Sequence, residues 1–93
     1  MALTKISSTT SATTVLAANT ARRKSRLLFE NSDTNRCYVL VGDPNIVGAP
    51  SATNYSFSLA QNDPAELKDC MQAVQCVWGT AGTGALMVTE YID

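Results

Sequence analysis

Tyr55-Ser56-Phe57-Ser58-Leu59 alternates apolar and polar side chains with a period of two. Only an extended strand sends successive side chains to opposite faces. Tyr55, Phe57 and Leu59 are therefore expected on a core face, with the intervening serines outward. Gln61-Asn62-Asp63-Pro64 then supplies turn chemistry. Ala65 to Cys70 reads as a strand in preference to a helical turn. Asp63 and Pro64 would cap and start such a helix, but the segment is too short to stand alone as one. Val74 to Trp78 is a further strand, with Val74, Cys76 and Trp78 on one face. The glycine-rich run Gly79 to Gly84 reads as a flexible hairpin turn before the closing strand, Ala85 to Ile92. There Leu86, Val88 and Ile92 share a face, opposite Met87, Thr89 and Tyr91.

The same reading extends upstream. Ile46 to Asn54 holds Gly48 and Pro50 without periodicity and is expected to be a loop. Arg36 to Val41 is dense in β-formers and ends at Gly42-Asp43-Pro44-Asn45. Arg23 to Glu30 turns Leu27 and Phe29 one way and Leu28 and Glu30 the other. Between them, Asn31-Ser32-Asp33-Thr34-Asn35 is a run of turn formers, so this pair is predicted to be a hairpin with a five-residue loop. Thr13 to Leu16 reads as the first strand. About seven short strands with turns between them predict an all-β fold, a small antiparallel β-sandwich or jelly-roll-like barrel. Phe29, Tyr55, Phe57, Leu59, Trp78, Leu86 and Val88 are its expected core.

Residues 4–20 are Ser or Thr at nine of seventeen positions. Branched Thr loses rotamer freedom in a helix, so extended structure is expected. With few large apolar groups, residues 1–12 are predicted to be a flexible or extended arm ahead of one domain over residues 13–93. Exposed strand edges tend to pair, so Thr9, Thr10, Thr13, Thr14 and Val15 are expected to add to a partner.

Ninety-three residues support a single core, and 45% hydrophobic with 16% charged residues is a globular composition. The longest apolar run, Cys37 to Val41, is far short of the roughly 20 residues of a membrane helix. No apolar leader segment follows Lys5. Cys37, Cys70 and Cys76 are odd in number, so they read as reduced core packing in a cytosolic protein. The net charge of −1 is unevenly spread. Lys5, Arg22, Arg23, Lys24, Arg26 and Arg36 against Glu30, Asp33 and Asp43 give +3 over residues 1–46. Lys68 against Asp63, Glu66, Asp69, Glu90 and Asp93 gives −4 over the rest.

Histidine is absent, which removes the commonest general base and the Ser-His and Cys-His nucleophile pairs. Three cysteines without tight C-x₂₋₄-C spacing are a poor zinc set. The glycine run lacks the Gly-Lys-Ser/Thr ending of a phosphate loop and precedes a strand. No enzyme, metal or cofactor is expected. The concentrated feature is Arg22-Arg23-Lys24-Ser25-Arg26. In a strand, Arg22, Lys24 and Arg26 would share the outward face, as a grip for an acidic protein surface or as edge protection. Nucleic acid is disfavoured as the partner, because the chain is acidic overall and no aromatic residues interleave with the cations.

Several pieces together resemble a known group: Thr14-Val15-Leu16-Ala17-Ala18-Asn19, Arg22-Arg23, Leu27-Leu28-Phe29-Glu30-Asn31-Ser32, Tyr38-Val39 with Gly42, Ser51-Ala52-Thr53-Asn54-Tyr55-Ser56, and Val77-Trp78-Gly79-Thr80-Ala81 with Val88-Thr89-Glu90. From about Thr13 to Glu90 the chain resembles small virion accessory proteins of tailed bacteriophages, of the capsid decoration or cement type. The resemblance implies a compact β-sandwich or jelly-roll, made in the bacterial host cytoplasm. It would bind the major capsid protein on the outside of the head, as a homo-oligomer with a trimer favoured. A head–tail adaptor, tail or fibre-base subunit is the first alternative. A non-enzymatic module for carbohydrate or a host surface is the second.

Overall fold

The computed structural model describes residues 2–92; Met1 and Asp93 lie outside it. The chain forms a small all-β sandwich of two antiparallel four-stranded sheets. The eight strands are β1 (Ala2–Ser7), β2 (Thr13–Leu16), β3 (Ser25–Asn31), β4 (Cys37–Val41), β5 (Phe57–Leu59), β6 (Pro64–Lys68), β7 (Val74–Trp78) and β8 (Ala85–Ile92). Sheet A has the order β1-β8-β3-β6, and sheet B the order β2-β7-β4-β5. A 3-10 helix spans Thr20–Lys24, and α1 is a single turn, Pro44–Val47. No helix among the described residues is long and apolar enough to cross a membrane.

The inner faces follow the period-2 reading. Leu27, Phe29, Leu86 and Val88 of sheet A meet Val15, Cys37, Val39, Leu59, Val74, Cys76 and Trp78 of sheet B, all of them buried. Phe29 meets half-buried Phe57 edge to face, with ring centroids 5.4 Å apart, a favoured aromatic geometry. Pro64–Lys68 is a strand, as expected of a segment too short to stand as a helix, and pairs with β3 from Arg26↔Lys68 to Glu30↔Pro64.

Five expectations are corrected. Residues 2–7 are not a separate arm: β1 pairs in register with β8, from Ala2↔Glu90 to Ser7↔Ala85. An edge strand needs only one half-covered face, which Thr4 and Ile6 supply. Secondly, β3 and β4 are not a hairpin, since β3 pairs with β6 and β8 while β4 pairs with β5 and β7. Asn31 turns the chain between the sheets instead. Its Nδ2 donates to the carbonyls of Asn35 and Leu59, each at 2.9 Å, and its Oδ1 accepts from Asp33 N–H at 3.0 Å. The Gly79–Gly84 run is likewise a crossing, from β7 in sheet B to β8 in sheet A. Finally, Tyr55 is 45% exposed and not in the core. A bend at Ser56 resets the alternation, and Tyr55 packs on Tyr38, ring centroids 5.2 Å apart. The segment expected as loop also begins inside α1, where Asp43 Oδ1 accepts from Asn45 N–H at 2.9 Å.

Candidate docking surface

The basic run does not form one stripe. Asn19 caps the 3-10 helix by accepting from Ala21 N–H at 2.9 Å. The next turn folds Arg22 inward, where it is 2% exposed. Its Nε donates to Cys70 O, and its Nη2 to Ala17 O and Gln72 O, each at 2.9 Å. These carbonyls lie outside the strand ladders, and the planar guanidinium matches several at once. Arg22 is thus a clamp between the segment before the 3-10 helix and the β6–β7 connection, and its expected place in a docking stripe is corrected. The sequence hides this because two of the three acceptors lie some fifty residues away.

Lys24 and Arg26 are exposed. Arg26 projects from the outer face of β3, opposite Lys68 of β6, and its guanidinium lies 5.1 Å from the ring centroid of Tyr91 on β8. Such a contact contributes about 0.5–1 kcal/mol at an exposed site. Lys68, from the acidic half of the chain, thereby joins Arg26, a pairing that only register could reveal. Farther along the same face are Glu30 and Glu66. Leu3, Leu28, Met87 and Pro64 line a shallow trough of about 420 Å³ between the charged ends.

The other expected partner residues separate. Thr9 and Thr10 lie where the chain crosses from β1 to β2; Thr9 O accepts from Trp78 N–H at 2.9 Å. Thr13 and Thr14 pair with Cys76 and Gln75 in β2, the edge of sheet B. Val15 is buried in the core, which corrects its expected role at an interface. Thr10 borders a recess of about 240 Å³ beside Tyr38 and Pro50.

Two polar features inside the fold are structural. Asp33 is 1% exposed, beside the Gly82–Gly84 crossing. Its Oδ1 accepts from Asn35 N–H at 2.8 Å and Asn35 Nδ2 at 3.1 Å. The Ser8 hydroxyl and Gly84 N–H also favour its charge, although no donor meets Oδ2 in full hydrogen-bonding geometry. A Cβ on Gly84 would stand 2.4 Å from the Asp33 backbone, so this crossing requires glycine. The Asn35 backbone N–H first, then the Ser8 hydroxyl, hold the Asp33 carboxyl below its ordinary pKa against the opposing effect of burial. The unfolded chain therefore takes up this proton first as pH falls. The stabilisation is present above about pH 4 and is lost as pH falls through the folded-state value. Asp33→Asn is expected to have a lower urea midpoint than the native chain at pH 7, with the gap narrowing as pH falls below about 4. A gap of constant size would show that the charge contributes nothing.

Cys37 and Cys76 are buried, free thiols on adjacent strands. The hydrogen bond with Cys76, and then burial, push the Cys37 thiol far above its ordinary pKa, so it holds no thiolate for nucleophilic chemistry. Among the described residues no three His, Cys, Asp or Glu side chains group as a metal site. No protein-family model matches the chain, and no curated protein shows significant similarity to it.

Proposed function

We propose that the chain is a non-enzymatic structural virion protein, a decoration or cement subunit that docks on the major capsid protein outside a bacteriophage head. The observation that carries this reading is the outer face of sheet A. It combines an open edge strand, an apolar trough at Leu3, Leu28 and Met87, and a basic end at Arg26 and Lys68. Protein docking surfaces commonly join an apolar centre to a charged rim. The chain's resemblance to small phage accessory proteins supplies the kind of partner. A head–tail adaptor or tail subunit would use the same face.

The test is to add the purified protein to heads that lack it and follow co-sedimentation against salt, with imaging of the particles. Saturable attachment to the head is the expected result. Replacing Lys24, Arg26 and Lys68 with Ser is expected to flatten the salt dependence of the association rate while leaving thermal stability nearly unchanged. Attachment with the native salt dependence would remove the basic end from the interface. Exposed Tyr55, packed on half-buried Tyr38 beside the Thr10–Pro50 recess, favours a second reading, a module that stacks on carbohydrate. Loss of attachment on Tyr55→Ala, with the cation variant intact, would favour it.

A further inference from the structure

We infer that β1 is a self-pairing edge, through which two copies of this chain join antiparallel and extend sheet A across a two-fold axis. The sandwich has four edge strands, and three of them are guarded. Pro64, Glu66 and Lys68 put a missing donor and two charges on β6, which is followed by Asp69 at φ 55°. The strand β5 is three residues long, and β2 carries a register shift between Thr14 and Leu16. Short edges, proline, charge and bulges are the usual means of preventing edge pairing. By contrast β1 is six residues long and in unbroken register with β8, with Lys5 its single charge and Leu3 61% exposed.

The ladder fixes which backbone groups are open. Ser8 N–H donates to Gly84 O at 3.0 Å, continuing the pairing in which Ser7 faces Ala85. Antiparallel residues turn their backbone groups to the partner alternately. Thr4 and Ile6 therefore bond to β8, while Leu3, Lys5 and Ser7 direct their N–H and C=O groups to the free edge. Two copies can meet only with these outward residues opposite one another, which also keeps each face continuous.

Charge and apolar contact select the register. Centred on Thr4, Leu3 of each copy lies opposite Lys5 of the other, and the two Leu3 side chains meet diagonally on the outer face. Centred on Lys5, two ammonium groups would stand directly opposed and the Leu3 side chains would be far apart. The occupant is thus a second copy paired about Thr4. One such edge closes as a dimer, in place of the trimer expected from the sequence.

The inference holds whether or not the chain docks on a particle, and its test uses free protein, so the two readings fail independently. Sedimentation equilibrium of the native chain is expected to show a concentration-dependent rise from 9.9 kDa toward twice that mass. Lys5→Pro removes an N–H that faces only the open edge, where proline is tolerated. It is expected to abolish the dimer while melting as the native chain does at dilutions where that chain is monomeric. Thr4→Cys in a Cys70→Ser background should cross-link to a covalent dimer under mild oxidation, since opposed Cα atoms about 4.5 Å apart suit a disulfide. A native chain that stays monomeric or forms trimers, or a Lys5→Pro dimer, would overturn the inference. Cross-linking by Lys5→Cys but not by Thr4→Cys would overturn the register.

Discussion

Trp78→Ala is expected to lower the stability of the domain by about 3–5 kcal/mol, the cost of emptying a large aromatic site in a packed core. Trp78 is 1% exposed and closes β7, opposite Cys37. Its Nε1–H donates to Asn31 Oδ1 at 3.3 Å. That acceptor keeps the Asp33 N–H when the indole is removed, so the loss is chiefly of packing and not of an orphaned polar group. At roughly 0.05–0.15 kcal/mol per residue, a chain of this length has only about 5–14 kcal/mol of stability in all. The variant should therefore melt far below the native chain, by roughly 4–8 °C for each kcal/mol lost. Scanning calorimetry decides the matter; coincident melting curves would place Trp78 outside the core.

Arg22→Ala is expected to cost about 3 kcal/mol, because it strips a charged donor from three backbone carbonyls. The effect should appear in the denaturant midpoint with little change in its slope. Arg22→Lys should recover only part of the loss, since a compact ammonium cannot span the positions that a planar fork reaches. Arg26→Ala, on the exposed outer face, loses only its contact with Tyr91 and should cost about 0.5–1 kcal/mol. If the two alanine variants behave alike, Arg22 is not the clamp described here.

The contrast between these arginines shows what the sequence could and could not reveal. Alternation located the interior well: Leu27, Phe29, Leu59, Trp78, Leu86 and Val88 all face inward, because a strand's two faces are written into its own residues. Pairing is not written there. Asn31 to Asn35 looks like a hairpin turn in any local window. What makes it a crossing is the Leu59 carbonyl that Asn31 reaches and the Gly84 backbone that closes on Asp33. The basic run looked solvated for the same reason, since Cys70 and Gln72 arrive from elsewhere in the chain to bury one of its members. Strand β1 was legible as extended but not as part of the domain. Its few apolar groups suffice only because β8 lies alongside it. The candidate docking face was half visible: Arg26 was, whereas Lys68 and the trough depend on register.

The strand order also governs how the chain reaches its native state. Only β4 and β5 are both neighbours in sequence and paired; every other ladder joins strands separated by at least one more. Loop-closure entropy must then be spent before most contacts can repay it, which places folding in the millisecond-to-second range typical of sandwiches. Strand β8 lies between β1 and β3, yet it is the last of the eight in chain order. During synthesis β1, β3 and β6 all leave the ribosome before the strand that joins β1 to the others, and β1 waits longest. For that interval a strand with two open edges is exposed to other nascent chains. Destabilising substitutions in β8 are therefore expected to reduce soluble yield more than their equilibrium cost implies.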